Sequence, residues 1–113
     1  MSVFGNLANM GAIMQQARQM QDNIKQLQQE LEEARIEGSA GAGMVRINFN
    51  GKAQALSVEI DDEAYKENKT VLQTLITSAI NDGMQKRDTL KKAKIKEAMG
   101  GAELPEYMLG MDL

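Results

Sequence analysis

The sequence predicts an α+β protein: a long helix, a β-hairpin and a second long helix, assembled as a homodimer with a shared antiparallel sheet. Three observations carry this. Apolar residues recur in a heptad over residues 10–34, an Asn-Gly turn signal at 50–51 separates two alternating segments, and a capping signature at 70–73 precedes a second helical run. The 113 residues make a single domain, 1–113.

The first helix rests on Met10, Ile13, Ala17, Met20, Ile24, Leu27, Leu31 and Ala34, whose separations alternate between three and four residues. Gln, Glu and Lys fill most positions between them. The result is a narrow apolar seam along roughly 40 Å of helix. Such a seam is matched by another helix rather than by a broad core.

Gly38-Ser-Ala-Gly-Ala-Gly43 is then expected to stop the helix and form a joint. It is no dinucleotide fingerprint: Arg46 stands where a third glycine would be needed. The run also follows a helix and precedes a strand, the reverse of the order that phosphate binding at a helix N-terminus requires.

Met44–Phe49 and Lys52–Ile60 flank Asn50-Gly51, and a two-residue turn there pairs Val45 with Leu56 and Ile47 with Gln54. Val45, Ile47, Phe49, Leu56, Val58 and Ile60 then share one face, and Arg46, Asn48, Ser57 and Glu59 share the other. Asp61, Asp62 and Glu63 close the strand and open a short helical turn. With Glu59 and Glu67 they form an acidic group, but it lacks the alternating ligands around a glycine that a calcium loop needs. Acidic residues ahead of a helix complement its dipole.

Thr70 with Gln73 reads as a capping box for the second long helix. Its inner half is apolar (Leu72, Leu75, Ile76, Ala79, Ile80, Met84), its outer half is basic, and Gly100-Gly101 ends it. The tail over 102–113, with the only proline, Pro105, is expected to be loosely ordered. A lone hairpin is marginal in water. One apolar sheet face and two narrow helix stripes are a thin core for one chain, so self-association is expected to join hairpins into a larger sheet.

Composition excludes several function classes. Cys and His are absent, which removes disulfides, thiol nucleophiles, imidazole acid–base chemistry and the usual zinc sites. No catalytic residue, metal ligand, cofactor or small-molecule substrate is assigned, and a non-enzymatic protein is expected. No basic residue precedes Arg18 and no long apolar run occurs, so neither a signal peptide nor a membrane span is expected. A cytoplasmic protein is the expectation.

Charge is segregated. The chain carries a formal net charge of -3, yet six of its 13 basic residues fall within eleven positions: Lys86, Arg87, Lys91, Lys92, Lys94 and Lys96. At about 100° per residue, Arg87, Lys91 and Lys94 form one stripe, Lys92 and Lys96 a second, and Lys86 lies between them. A charged helix end is ordinarily solvated, and lysines there also suit the dipole. As a binding surface, the segment would attract polyanions. A membrane surface fits poorly, because large apolar anchors are missing opposite the lysines. Single-stranded nucleic acid calls for aromatic platforms, and Phe4, Phe49, Tyr65 and Tyr107 all lie outside the segment. Lysine-dominated contact fits duplex phosphates, with Arg87 the one bidentate base reader in the patch.

Several segments occur together, in order: Met14-Gln-Gln-Ala-Arg-Gln-Met20, Gly38-Ser-Ala-Gly-Ala-Gly-Met-Val45, Asn50-Gly51, Val58-Glu-Ile-Asp61, Leu75-Ile-Thr-Ser-Ala-Ile-Asn-Asp82, and Gly100-Gly-x-x-Leu-Pro105. In these the chain resembles the YbaB/EbfC family of bacterial nucleoid-associated proteins over essentially its whole length. The resemblance implies a tweezer-like homodimer whose protruding helices bind double-stranded DNA, located at the nucleoid, with roles in nucleoid organisation and gene expression. It places DNA contacts on the outer parts of the long helices. Here that means the basic residues from Lys86 to Lys96, with Arg18 and Lys25 on the first helix. Gly83-Met84 departs from the small residues usual in relatives, and a glycine there is expected to loosen the arm. The alternative is a protein-interaction module with coiled-coil arms, similar in plan to prefoldin-type chaperone subunits, with Met10, Met14 and Met20 as adaptable client contacts.

Overall fold

The protein, seen in a computed structural model that describes residues 3–99 (3–8 through their backbone only), runs α1 (Val3–Glu33), β1 (Ile36–Ala40), β2 (Val45–Phe49), β3 (Ala55–Ile60), α2 (Asp62–Tyr65) and α3 (Lys69–Ala98). The strands form one antiparallel sheet in the order β1-β2-β3. α3 lies across β1 and β2. The molecule measures 78 × 23 × 18 Å with a radius of gyration of 20.9 Å, well above the ~13–14 Å of a compact chain this long. Long helix, sheet and long helix are thus as expected, with arms that project from a small centre.

Three details differ from the sequence reading. First, the glycine run is not all joint. Ile36–Ala40 is a third strand, pairing Ile36 with Phe49, Gly38 with Ile47 and Ala40 with Val45. Only the end of the run turns, through positive φ at Gly41 (62°), Ala42 (55°) and Gly43 (90°). Gly38 and Ala40 hide the strand from hydropathy because they bring little apolar bulk. Gly38 is glycine because α3 sits directly on it: an added Cβ would lie 2.6 Å from the Gly83 nitrogen.

Second, Asn50-Gly51 is not a two-residue turn. Val45 pairs with Ile60, Ile47 with Val58 and Phe49 with Ala55, and a register shift beside Phe49 leaves Leu56 as the extra residue. Neither Asn50 nor Gly51 takes a positive φ; Ala53 does, at 64°. Asn50 is buried and organises the longer loop. Its Oδ1 accepts from the backbone N–H of Lys52 and of Gln54, both at 3.0 Å, and its Nδ2 donates to Gln54 Oε1 at 2.7 Å. The slip from the expected pairing is four residues at Val45 and Ile47. An even slip preserves the faces, so the face shared by Val45, Ile47, Val58 and Ile60 survives a wrong register.

Third, α3 starts two residues early. Asn68 is its N-cap, its side chain accepting from the Val71 N–H at 2.9 Å, in place of the Thr70 capping box. Asn is as good a cap as Thr, and the two signatures lie only two positions apart. The helix ends at Ala98, capped by Met99. The expected stop at Gly100-Gly101 and the loose tail over 102–113 lie outside the described residues. The short helical turn after the acidic group is present as α2.

The core has two parts. Ile36, Val45, Ile47 and Phe49 from the sheet pack with Ala64 and Ala79, flanked by Leu72, Leu75, Ile76 and Met84. Leu27 and Leu31 of α1 meet Ile95 of α3 in a separate cluster. Each such large apolar side chain contributes about 1.5–3 kcal/mol when fully buried. Gly83 belongs to the first part. A Cβ there would enter the Phe49 ring, so the glycine permits contact and does not loosen the arm.

The other sheet face is polar. Arg46 pairs with Glu59 (3.2 Å) and Asp61 (3.1 Å), donates to the Gly43 carbonyl, and Asn48 donates to Ser57 Oγ at 2.9 Å. Bonds from Asp61 and then Glu59 push the Arg46 pKa up. Two members of the acidic group are therefore ion-pair partners of Arg46, and a third, Glu63, pairs with Lys66 at 3.2 Å.

Candidate nucleic-acid interface

The inner end of α1 is fastened to the outer end of α3. Ile95 is nearly fully buried against Leu27 and Leu31, and Asn23 Nδ2 donates to the Ala98 carbonyl at 3.5 Å. With Ile95 turned to α1, helical periodicity fixes where the basic residues point.

Three of the six are committed to holding the protein together. Arg87 is only 15% exposed; its Nε donates to the Gly51 carbonyl at 2.8 Å and it pairs with Asp88 at 3.3 Å. Lys94 bridges to Glu30 of α1 at 3.3 Å, with Glu97 at 4.0 Å. Lys86 pairs with Asp82 at 3.0 Å and donates to the Glu37 carbonyl at 2.9 Å. Asp82 in turn accepts from the Ser39 backbone N–H at 2.9 Å. That bond, and then the one from Lys86, hold its carboxyl below the usual range. Lys91 is half-buried and also engaged.

The remaining two, Lys92 and Lys96, are exposed and make no ion pair among the described residues. They sit four positions apart, about 6 Å along the axis, on the flank of α3 away from Lys94. On α1, Arg18 and Lys25 are likewise exposed and unpaired among the described residues. Seven positions apart, they fall within about 20° of one another and about 10 Å apart along the axis. The stripe Arg87–Lys91–Lys94 is thus turned toward α1 and the β2–β3 loop, while the Lys92–Lys96 stripe faces solvent. The sequence showed the two stripes but could not rank them, because Glu30 and the Gly51 carbonyl are distant in the chain.

Among the described residues no cluster of acidic side chains is arranged to hold a metal ion, and no helix is long and apolar enough to cross a membrane. What the arrangement offers is exposed cations along two long helices.

Comparison with known proteins bears on the fold and the family. The crystal structure of an uncharacterized protein from Helicobacter pylori superposes with a TM-score of 0.67 at 24% identity, covering 88% of this chain and 99% of that one. That likeness is one of fold. The model of the YbaB/EbfC DNA-binding family matches residues 5–102, nearly the whole length, and the chain belongs to the YbaB/EbfC DNA-binding family.

Proposed function

We propose that this protein is a non-enzymatic nucleoid-associated protein that binds double-stranded DNA as a homodimer, with little sequence preference. In this reading it resides in the cytoplasm at the nucleoid and contributes to nucleoid organisation and the regulation of gene expression. The observation that carries the reading is family membership joined to cations unpaired among the described residues, Arg18, Lys25, Lys92 and Lys96, on helices that project from the sheet. Lysines without aromatic neighbours neutralise phosphates and read little sequence.

The homodimer is supported by β3. Its outer edge has no partner strand among the described residues, and α3 covers β1 and β2 instead. Leu56 (48% exposed) and Val58 (55%) therefore carry an apolar strand face into solvent. Bare apolar edges invite another strand. A two-fold axis beside β3 would join two sheets and present the cationic helices twice, raising effective affinity without new contacts.

The test is a titration of random and defined duplexes at several salt concentrations, with the oligomeric state measured by light scattering. About eight engaged phosphates per dimer give a log–log salt slope of about -7, or about 10⁴-fold weaker binding between 50 and 200 mM salt. Salt-independent retention, or a monomer at micromolar concentration, would count against the reading. A second reading has one observation in its favour: Met10, Ile13, Met14 and Met20 are exposed on α1, beside an open groove of ≈ 550 Å³ bordered by Met20, Ala98 and Met99. Capture of an apolar client by that arm would be insensitive to salt.

A further inference from the structure

We infer that Lys52, in the loop between β2 and β3, is a further phosphate-contacting residue, and that Arg87 is its positioning residue. The inference rests on the duplex-binding reading above. The loop is longer than a hairpin between these strands requires, and it is held from three sides. The Gly51 N–H donates to the Leu31 carbonyl at 2.6 Å, and the Gly51 carbonyl accepts from Arg87 at 2.8 Å. The buried Asn50 binds the backbone N–H groups of Lys52 and Gln54. Gly51 is wedged against α1 so closely that an added Cβ would lie 2.8 Å from the Leu31 Cα.

So much fixing of one loop places one side chain. Lys52 follows Gly51 directly, its backbone nitrogen is pinned at 3.0 Å, and its ammonium makes no bond among the described residues. A half-buried lysine whose ammonium has no partner among the described residues, on a loop bonded to both α1 and α3, is available to an anion. Arg87, which holds the neighbouring Gly51 carbonyl, also lines a cleft of ≈ 150 Å³ on α3 with Asp88, Lys91, Lys92 and Ile95. Arg87 does not supply that contact itself, because its guanidinium is mostly buried and spent on Gly51 and Asp88. Its role is to hold the loop that carries Lys52 against α3.

The experiment compares wild type, K52A, R87M and K52A/R87M in duplex titrations across a salt series. K52A should lower the magnitude of the salt slope by about 0.9 per protomer, the signature of one lost phosphate contact. R87M should weaken binding to a similar degree, and the double variant no further, because both remove the same contact. Normal wild-type binding with an unchanged K52A slope would overturn the Lys52 assignment alone. Additive losses would show Arg87 acting independently of Lys52 and overturn the positioning role. A wild-type protein without salt-dependent duplex binding would overturn this inference together with the reading beneath it. Because the Lys52 ammonium has no hydrogen-bond or ion-pair partner among the described residues and the loop is held through backbone groups, K52A gives its answer even where R87M fails to fold.

Discussion

Replacing Gly83 by alanine sets two physical effects against each other. Inside a helix, alanine is favoured over glycine by about 1 kcal/mol, and an exposed Gly83 would give that gain in full. Here the residue is buried, and the new methyl would collide with the edge of the Phe49 ring. Phe49 is 3% exposed and packed in the core beneath α3, so the ring cannot swing into solvent. Gly38 already brings β1 into close contact with α3, so the two elements fit without slack. Overpacking of this kind costs typically ~1–3 kcal/mol. The difference leaves G83A destabilised by about 0–2 kcal/mol, against the ~1 kcal/mol stabilisation that helix propensity alone would give. Urea denaturation of wild type, G83A, F49L and G83A/F49L separates the effects. The smaller leucine side chain introduced by F49L makes room for the methyl, so the double variant should be more stable than the sum of the single changes predicts. A G83A protein stabilised by a full kilocalorie, or strict additivity with F49L, would refute the close-contact reasoning.

Other substitutions probe separate parts of the structure. The Asp82 carboxyl is lowered by the Ser39 N–H and then by Lys86. Its stabilising contribution is therefore present above the unfolded-state value, near ~4, and is lost as pH falls through the lower folded-state value. D82N should be less stable than wild type at about pH 6 and converge on it in strong acid, as read by denaturant titration across pH. In the proposed homodimer joined at β3, V58D should shift light scattering toward monomer while far-UV circular dichroism keeps its helical signal; an unaltered dimer would remove β3 from the proposed interface. L31A should cost about 2–5 kcal/mol in urea denaturation, since Leu31 is fully buried at the junction of α1 and α3.

How much of this was legible in the sequence depended on how far apart the interacting residues lie. The α1 seam, the alternating faces of β2 and β3 and the apolar inner half of α3 are periodic and local, and all four elements are present there, β3 starting three residues late at Ala55. The seam itself divides in space: Leu27 and Leu31 find α3, whereas Met10, Ile13 and Met20 remain exposed on the arm. β1 escaped because Gly38 and Ala40 bring little bulk, and Gly38 packs against Gly83, distant in the chain. The hairpin register escaped because Asn50-Gly51 has a tertiary role, contact with Leu31 and Arg87, that overrides its local turn preference. Gly83 shows the same limit: propensity marks it as a weakness, and only Phe49 explains it. The basic segment was obvious as composition. Which of its cations hold the fold required Glu30, Asp82 and the Gly51 carbonyl to be seen beside them.

Everything proposed for function depends on exposed cations of the projecting helices binding duplex phosphates. The salt slope of duplex binding by R18Q/K25Q/K92Q/K96Q, with the dimer verified in the same samples, reads this dependence without an intermediate step. The expected result is loss of most of the wild-type slope, about 0.9 for each phosphate contact removed, with the fold and the dimer intact. A wild-type slope in that variant would contradict the assignment and return the DNA contact to another surface.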